Sequence, residues 1–142
     1  MTNRINIART DKKSNSNLND LSEDSIQIMV MRWARTVEHN GRPLADYLHH
    51  SPNGGSRHIA EAAKFKRMGV KRGYPDLILD IAKGGYYGAR IELKKEKGGR
   101  TSKEQKERLQ ILTDEGYYAV VAKGYNEAVK VISDYMGVSN EG

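Results

Sequence analysis

Apolar residues recur at helical spacing between Ser22 and Val37. The stripe consists of Ile26, Met29, Val30, Trp33 and Val37. This spacing predicts a helix with one buried face. Ser22 is a favourable N-cap, and the acids Glu23 and Asp24 in the first turn complement the helix dipole. The turn-forming residues 39–43 (HNGRP) end the helix.

Two short apolar runs later in the chain are typical of neighbouring β-strands. We predict them at Leu77–Ile81 and Ala89–Lys95, joined by a Gly-rich turn at Lys83–Gly88. Strand side chains alternate in direction, so Glu92 and Lys94 point to one face and their apolar neighbours to the other. The charged face of the second strand is therefore the first place to look for chemistry.

Two further helices are predicted on either side of these strands. One spans Arg57–Arg67, and its residues available for packing are Ile59, Ala62, Ala63 and Phe65. The other begins at a capping box formed by Thr101 and Glu104, and it ends at the C-cap pair Glu115-Gly116. Gln105, Leu109 and Leu112 share one face of this helix, which turns Gln105 toward the sheet.

The remaining elements complete a mixed α/β pattern. The apolar run Tyr117–Ala122 predicts a buried strand flanked on both faces, and Tyr125–Met136 predicts a final helix. Leu44–His50 is either a short strand or an irregular segment. A mixed central β-sheet flanked by helices follows from this order of elements.

The length of 142 residues favours a single domain. Met1–Asp20 is polar and aperiodic, so we expect a flexible tail at residues 1–20 and one domain at residues 21–138. The chain has no cysteine, no apolar run near the ~18 residues of a membrane span, and no apolar signal-peptide core. These features predict a soluble, cytoplasmic protein.

Positive charge is concentrated around the charged strand. The chain carries a net charge of +6, but the segment Arg57–Gln110 has 15 basic and 7 acidic residues, a net +8, which leaves −2 for the rest. Such a distribution suits a polyanionic substrate, although a solvated basic surface is the alternative. We favour a nucleic acid.

Two acids and one lysine come together in the predicted sheet. Paired strands lie about 4.8 Å apart, so Asp76 at the start of one strand stands near Glu92 on the next. Mg²⁺ is commonly held by one or two carboxylates together with waters and substrate phosphate. Lys94 on the same face can stabilise developing negative charge or help to deprotonate an attacking water.

This set of residues resembles the PD-(D/E)xK nuclease superfamily, and the wider chain resembles its VRR-NUC branch. The matching positions are Pro75, Asp76, Glu92, Lys94 and Gln105, with the acidic helix start Ser22–Gln27 and the segment Ser51–Gly55 upstream. The resemblance covers residues 21–136 and implies a restriction-endonuclease-like core. It also implies a metal site formed by Asp76, Glu92, the backbone carbonyl of Leu93 and an acid on the first helix.

The acid on the first helix is a choice between Glu23 and Asp24. Judged from the residues alone, both simply favour the helix N-terminus; the resemblance favours Glu23 as a site residue, and Gln27 lies one turn further on. Gln105 is either a polar residue at the core rim or a support for Lys94 or a metal-bound water. We expect His49, His50 and His58 to be ordinary surface residues.

The function implied by the resemblance is that of an endodeoxyribonuclease dependent on Mg²⁺ or Mn²⁺, without an organic cofactor. Standalone relatives are often phage-encoded, and several act on four-way (Holliday) junctions, which implies a homodimer because two symmetric cuts need two active sites. Alternatives are a nuclease acting on flap, nicked or linear DNA, and a non-catalytic DNA-binding module. The expected phosphate contacts are Lys71, Arg72, Lys95, Lys97, Arg100 and Lys103; Tyr74 either packs on a sugar or base or covers the sheet edge.

Overall fold

The structure, a computed structural model, describes residues 20–52 and 59–138. Its helices are α1 (Glu23–Ala34), α2 (Ile59–Arg67), α3 (Lys103–Asp114) and α4 (Tyr125–Met136), and its strands are β1 (Glu38–His39), β2 (Arg42–Pro43), β3 (Leu48–His50), β4 (Leu77–Leu79), β5 (Ala89–Lys94) and β6 (Tyr118–Lys123). Residues 1–19, most of the predicted tail, lie outside the described ranges, as do residues 53–55 of the upstream turn and His58.

A mixed four-stranded sheet lies at the centre of the fold, in the order β3-β4-β5-β6. The first three strands pair antiparallel, whereas β5 and β6 run parallel. Leu77 lies opposite Ile91, and Ile91 lies opposite Val120. The predicted α/β class with a mixed sheet flanked by helices is confirmed, and the predicted strand bounds at β4 and β5 differ by only one or two residues.

Helices cover both faces of the sheet. On one face, α1 packs against α4 over the core residues of the strands. The residues of this core with negligible exposure include Ile26, Val30, Leu77, Leu79, Ile91, Leu93 and Ile132. On the other face, α3 packs against β5 and β6. Because side chains alternate along β5, Glu92 and Lys94 point to the α3 face, away from the hydrophobic core.

The start of α1 follows the sequence signals. The Ser22 hydroxyl accepts a hydrogen bond from the Ser25 N–H at 3.1 Å, which caps the helix. Of the predicted stripe, Ile26 and Val30 are buried, while Trp33 is partly buried against the core. The helix ends at Ala34, before Val37, and the chain then turns through a hairpin at Asn40-Gly41 with φ of 51° and 78°.

Three expectations from the sequence are wrong in detail. None of the α2 residues is buried, and Ile59 is 90% exposed, so of the predicted packing face only Phe65 is partly covered. Strand β6 is contacted by α3 and α4, but it forms the sheet edge, and Ala122 is its only buried residue. The capping box of α3 is one residue later than predicted, because Ser102 is the N-cap.

Gly73 joins the α2 segment closely to the rest of the fold. Its φ is +80°, and a Cβ atom there would lie 2.7 Å from the backbone carbonyl carbon of Glu104. Only glycine accepts both this backbone conformation and this approach without strain. The chain therefore passes over the first turn of α3 immediately before it enters β4.

Candidate active site

Asp76 is held in place at the start of β4. The preceding Pro75 is fully buried. The Asp76 backbone carbonyl accepts a hydrogen bond from the Ser51 N–H at 2.8 Å and lies 3.0 Å from Nδ1 of His50. Its carboxylate Oδ2 accepts a hydrogen bond from the Leu93 N–H at 2.8 Å. The side chain thus takes the place of a backbone partner at the end of the β4–β5 pairing and faces β5.

Glu92 lies on β5 and is only 3% exposed. Its Oε1 accepts a hydrogen bond from Gln105 Nε2 at 2.9 Å, while its buried Oε2 has no hydrogen-bond donor among the described residues. Burial, together with the neighbouring Asp76, raises the pKa of Glu92 from 4.5 to about 8, against an opposing effect of Lys94. The Asp76 carboxylate is therefore close enough to disfavour the charged form of Glu92, as the strand pairing predicts.

Lys94 follows two positions later on the same face of β5. Its side chain is 8% exposed, and its Nζ lies 3.4 Å from Oε1 of Glu92 and 3.9 Å from Oε1 of Glu23. A buried ammonium requires charged or polar partners, because its desolvation is costly. The two acids provide them from different elements, one on β5 and the other at the start of α1.

Gln105 links the first turn of α3 to Glu92. Its Oε1 accepts a hydrogen bond from the Ser102 N–H at 2.8 Å, which completes the capping box. This bond fixes the orientation of the amide, so Nε2 is the group that donates to Glu92. The inward placement predicted for Gln105 is found, and the partner of its Nε2 is Glu92.

The Leu93 carbonyl lies on the same side of β5 as Asp76. A strand residue directs its N–H and C=O toward the same neighbouring strand, and the Leu93 N–H points to Asp76. Consistent with this alternation, the Lys94 carbonyl points the other way and accepts a hydrogen bond from the Gly124 N–H at 2.9 Å. The carbonyl predicted as a ligand thus faces the pair of acids.

The structure distinguishes between the two acids of α1. Glu23 is 47% exposed and forms the ion pair with Lys94, whereas Asp24 is exposed and forms no ion pair within the described ranges. Gln27, one turn after Glu23, has a buried Nε2 without a hydrogen-bond partner in the described part of the chain. Glu23 reaches the site through Lys94, as a partner of the lysine.

The predicted phosphate contacts surround the same end of the sheet. Lys71 and Arg72 precede Gly73, which packs on the start of α3, while Lys95, Lys97 and Arg100 lie in the loop from β5 to α3. All five are exposed, as is Lys103, which pairs with Glu107 at 3.9 Å. The positions are suited to a substrate that passes over the acids.

Tyr74 belongs to the sheet face near the site. Its hydroxyl accepts a hydrogen bond from Arg90 Nε at 3.2 Å, and the guanidinium of Arg90 lies 4.3 Å from the centroid of the Tyr117 ring. Arg90 shares the face of Glu92 and Lys94. Arg90 is not among the site residues predicted above, although its position two residues before Glu92 in β5 indicates that it lies on the same face of the strand.

The chain matches a protein family and resembles a solved structure. A family model described as VRR-NUC domain matches residues 11–126, most of the 142 residues. The chain belongs to the VRR-NUC family. A solved structure described as a VRR_NUC domain protein shares 52% sequence identity with it at a TM-score of 0.76, covering 84% of this chain and 91% of that one. No curated protein matches the chain.

Membership of the VRR-NUC family confirms the resemblance read from the sequence and the fold that it implied. The domain is a nuclease domain, and DNA is the substrate that such a domain implies. The fold is consistent with the PD-(D/E)xK superfamily. Among the described residues, none of the helices has the length and apolar character that a membrane crossing would require.

Nucleases of this superfamily typically use a divalent metal, and the acids of the VRR-NUC site fit one. No group of three or more His, Cys, Asp or Glu side chains capable of holding a metal occurs within residues 20–52 and 59–138. Of the residues predicted as ligands, Asp76 and Glu92 lie together beside the Leu93 backbone, while Glu23 meets the site at Lys94. The buried Oε2 of Glu92 lacks a donor and stands near a second acid, which is the environment that a hard cation stabilises.

Proposed function

We propose that this VRR-NUC protein is an endodeoxyribonuclease that depends on Mg²⁺ or Mn²⁺ and cuts branched DNA as a homodimer. The observation that carries the catalytic part is the arrangement of Asp76, Glu92 and Lys94, in which the buried Oε2 of Glu92 has no hydrogen-bond partner among the described residues. A purely structural ion pair would give no role to that oxygen. The same oxygen has a role if a cation lies against it.

Asp76, Glu92 and the Leu93 carbonyl would hold the metal, which when bound polarises the scissile phosphate and lowers the pKa of a water. Lys94 stabilises the negative charge that develops on the phosphate, and it can orient the attacking water. Glu23 holds the Lys94 ammonium in position. Gln105 fixes the Glu92 carboxylate through Oε1 and thereby directs Oε2 toward the acids.

The proposed substrate shape rests on symmetry. One chain of 142 residues offers one set of acids, and resolving a four-way junction requires two symmetric cuts. A two-fold dimer supplies two equivalent sites with one interface. The alternatives with the same chemistry are flap, nicked and linear DNA, and the alternative without chemistry is a DNA-binding module.

A cleavage panel tests these proposals. Labelled four-way junction, flap, nicked and linear duplex are incubated with the protein in Mg²⁺, Mn²⁺ or EDTA, beside Lys94→Met and the control Lys130→Ala. Lys94→Met keeps the hydrocarbon stem and removes the charge, while Lys130 is exposed on α4 and pairs with Asp134. We expect paired symmetric nicks in the junction that EDTA and Lys94→Met abolish.

Each part of the proposal has its own contrary result. Equal cutting of all four DNA shapes would remove the junction proposal and keep the chemistry. Cutting in EDTA would contradict the metal requirement. Binding without cutting in either metal would leave the DNA-binding module. A mass measurement that gives only monomer, even with junction DNA bound, would remove the dimer.

A further inference from the structure

Helix α2 carries an exposed cationic surface that the proposed site does not use. The helix buries none of its residues. Phe65 is the only residue of the helix that is half-buried, so it marks the side that faces the rest of the protein. The opposite side of the helix is free of the protein core.

The outward side has a regular composition. Ala60, Ala63, Lys64 and Arg67 recur at i, i+3, i+4 and i+7, and all four are exposed. We name these four residues the cationic α2 face. The one acid of the helix, Glu61, is four residues before Phe65 and so lies on its side. Neither Lys64 nor Arg67 forms a salt bridge in the described part of the chain.

The cationic α2 face leads toward the acids. After Arg67 the chain continues through the exposed cations Lys71 and Arg72 to Gly73, whose backbone is packed against the first turn of α3. Asp76 follows three residues later. Lys64, Arg67, Lys71 and Arg72 are therefore exposed cations on the stretch of chain that leads into Asp76.

The chemistry of the face selects phosphate as its partner. The two cations follow two alanines on the same face, and these small side chains let a sugar–phosphate backbone come close to the helix. A second copy of the same face would bring lysine and arginine against like charges, which opposes a symmetric protein contact. We propose that the cationic α2 face binds the phosphates of a duplex arm beside the cleavage position; this rests on the proposed nuclease function.

Binding in EDTA tests the proposal without cleavage. The anisotropy of a labelled duplex and of a labelled junction is measured against the salt concentration for wild type, Lys64→Ala/Arg67→Ala and the charge-matched control Arg32→Ala/Lys130→Ala. Arg32 and Lys130 are exposed on α1 and α4. Because α2 buries no residue, we expect its variants to fold.

The α2 double variant should bind roughly tenfold more weakly than wild type, and the slope of log K against log salt should become shallower by about 2 per bound protomer. The control should match wild type. Ala63→Arg, which adds a cation at the centre of the face, should steepen the slope by about 1.

The proposal would be overturned if the α2 double variant bound DNA with the affinity and salt slope of wild type. If its DNA affinity were unchanged but its mass fell from dimer to monomer, the cationic α2 face would be assigned to a contact with a second copy of the chain. The proposed function is tested separately. A wild type that binds DNA through α2 and cuts none of the four DNA shapes would refute the nuclease while leaving this surface intact.

Discussion

Replacing Glu92 by Gln should change how the stability of the protein depends on pH. Gln keeps the shape of the side chain and can still accept the hydrogen bond from Gln105 at Oε1. It carries no titratable proton, and its amide can donate toward Asp76. The variant therefore removes the ionisation of Glu92 while leaving the packing around it in place.

The magnitude follows from the pKa of Glu92, which folding raises from 4.5 to about 8. Between these values the unfolded chain has lost this proton and the folded protein keeps it, so the free energy of unfolding falls as the pH rises. The stability that the protonated Glu92 provides is fully present below pH 4.5, falls as the pH rises, and is lost once the pH has passed about 8. Between the two pKa values the loss is about 1.4 kcal/mol for each pH unit. Since water relaxes around the charged form, we expect about half of the full loss, over a narrower pH range.

Urea unfolding in EDTA, followed from pH 5 to pH 8.5, measures this slope. Wild type should lose about 2 kcal/mol over the interval relative to Glu92→Gln, whose stability should be much flatter. The control is Glu38→Gln, which removes an exposed carboxyl on β1 and should retain the wild-type slope. Equal slopes in wild type and Glu92→Gln would refute the reasoning that Glu92 holds its proton because it is buried beside a second acid.

Three further perturbations follow from the same geometry. At pH 8, Mg²⁺ at ten times its dissociation constant should raise the melting temperature of wild type and of Lys94→Met by about 5 °C. The melting temperature of Glu92→Gln should not change. A shift of the same size in Glu92→Gln would show that the cation binds elsewhere. Gln105→Leu should cost about 1–3 kcal/mol in urea unfolding, because it leaves the partners of both amide groups unpaired; a loss below 0.5 kcal/mol would contradict that linkage. Gly73→Ala should destabilise by at least about 2 kcal/mol more than Gly69→Ala, since both glycines have positive φ but only Gly73 lacks room for a Cβ; equal losses would show that backbone strain alone matters.

The central part of the site could be predicted from the sequence because short-range rules determine it. Alternation along β5 fixes that Glu92 and Lys94 share a face, and antiparallel pairing across one turn brings Asp76 beside them. The end of α3 at Glu115-Gly116 and the bounds of α4 also follow from local signals. These features need no information about distant parts of the chain.

The predictions that failed depend on tertiary context. Two overlapping residue pairs at the start of α3 fit a capping box: Thr101 with Glu104, and Ser102 with Gln105. The structure forms the second box, in which Gln105 also donates a hydrogen bond to Glu92. The spacing of apolar residues indicates that α2 is amphipathic, but it does not show how much of the apolar side packs against the rest of the protein. Likewise, the apolar run of β6 does not tell an edge strand from a central one, because strand order is set by the topology of the whole sheet.

The partners of Glu92 gather on one of its two carboxylate oxygens. Gln105 and Lys94 both approach Oε1, at 2.9 and 3.4 Å. Oε2 receives neither of them and has no other hydrogen-bond partner within the described ranges. The raised pKa of Glu92 means that the carboxyl keeps its proton in the protein without metal up to about pH 8. Under the proposed metal-dependent function, a cation bound against Oε2 would replace that proton, while Lys94 stays paired with Glu92 and Glu23.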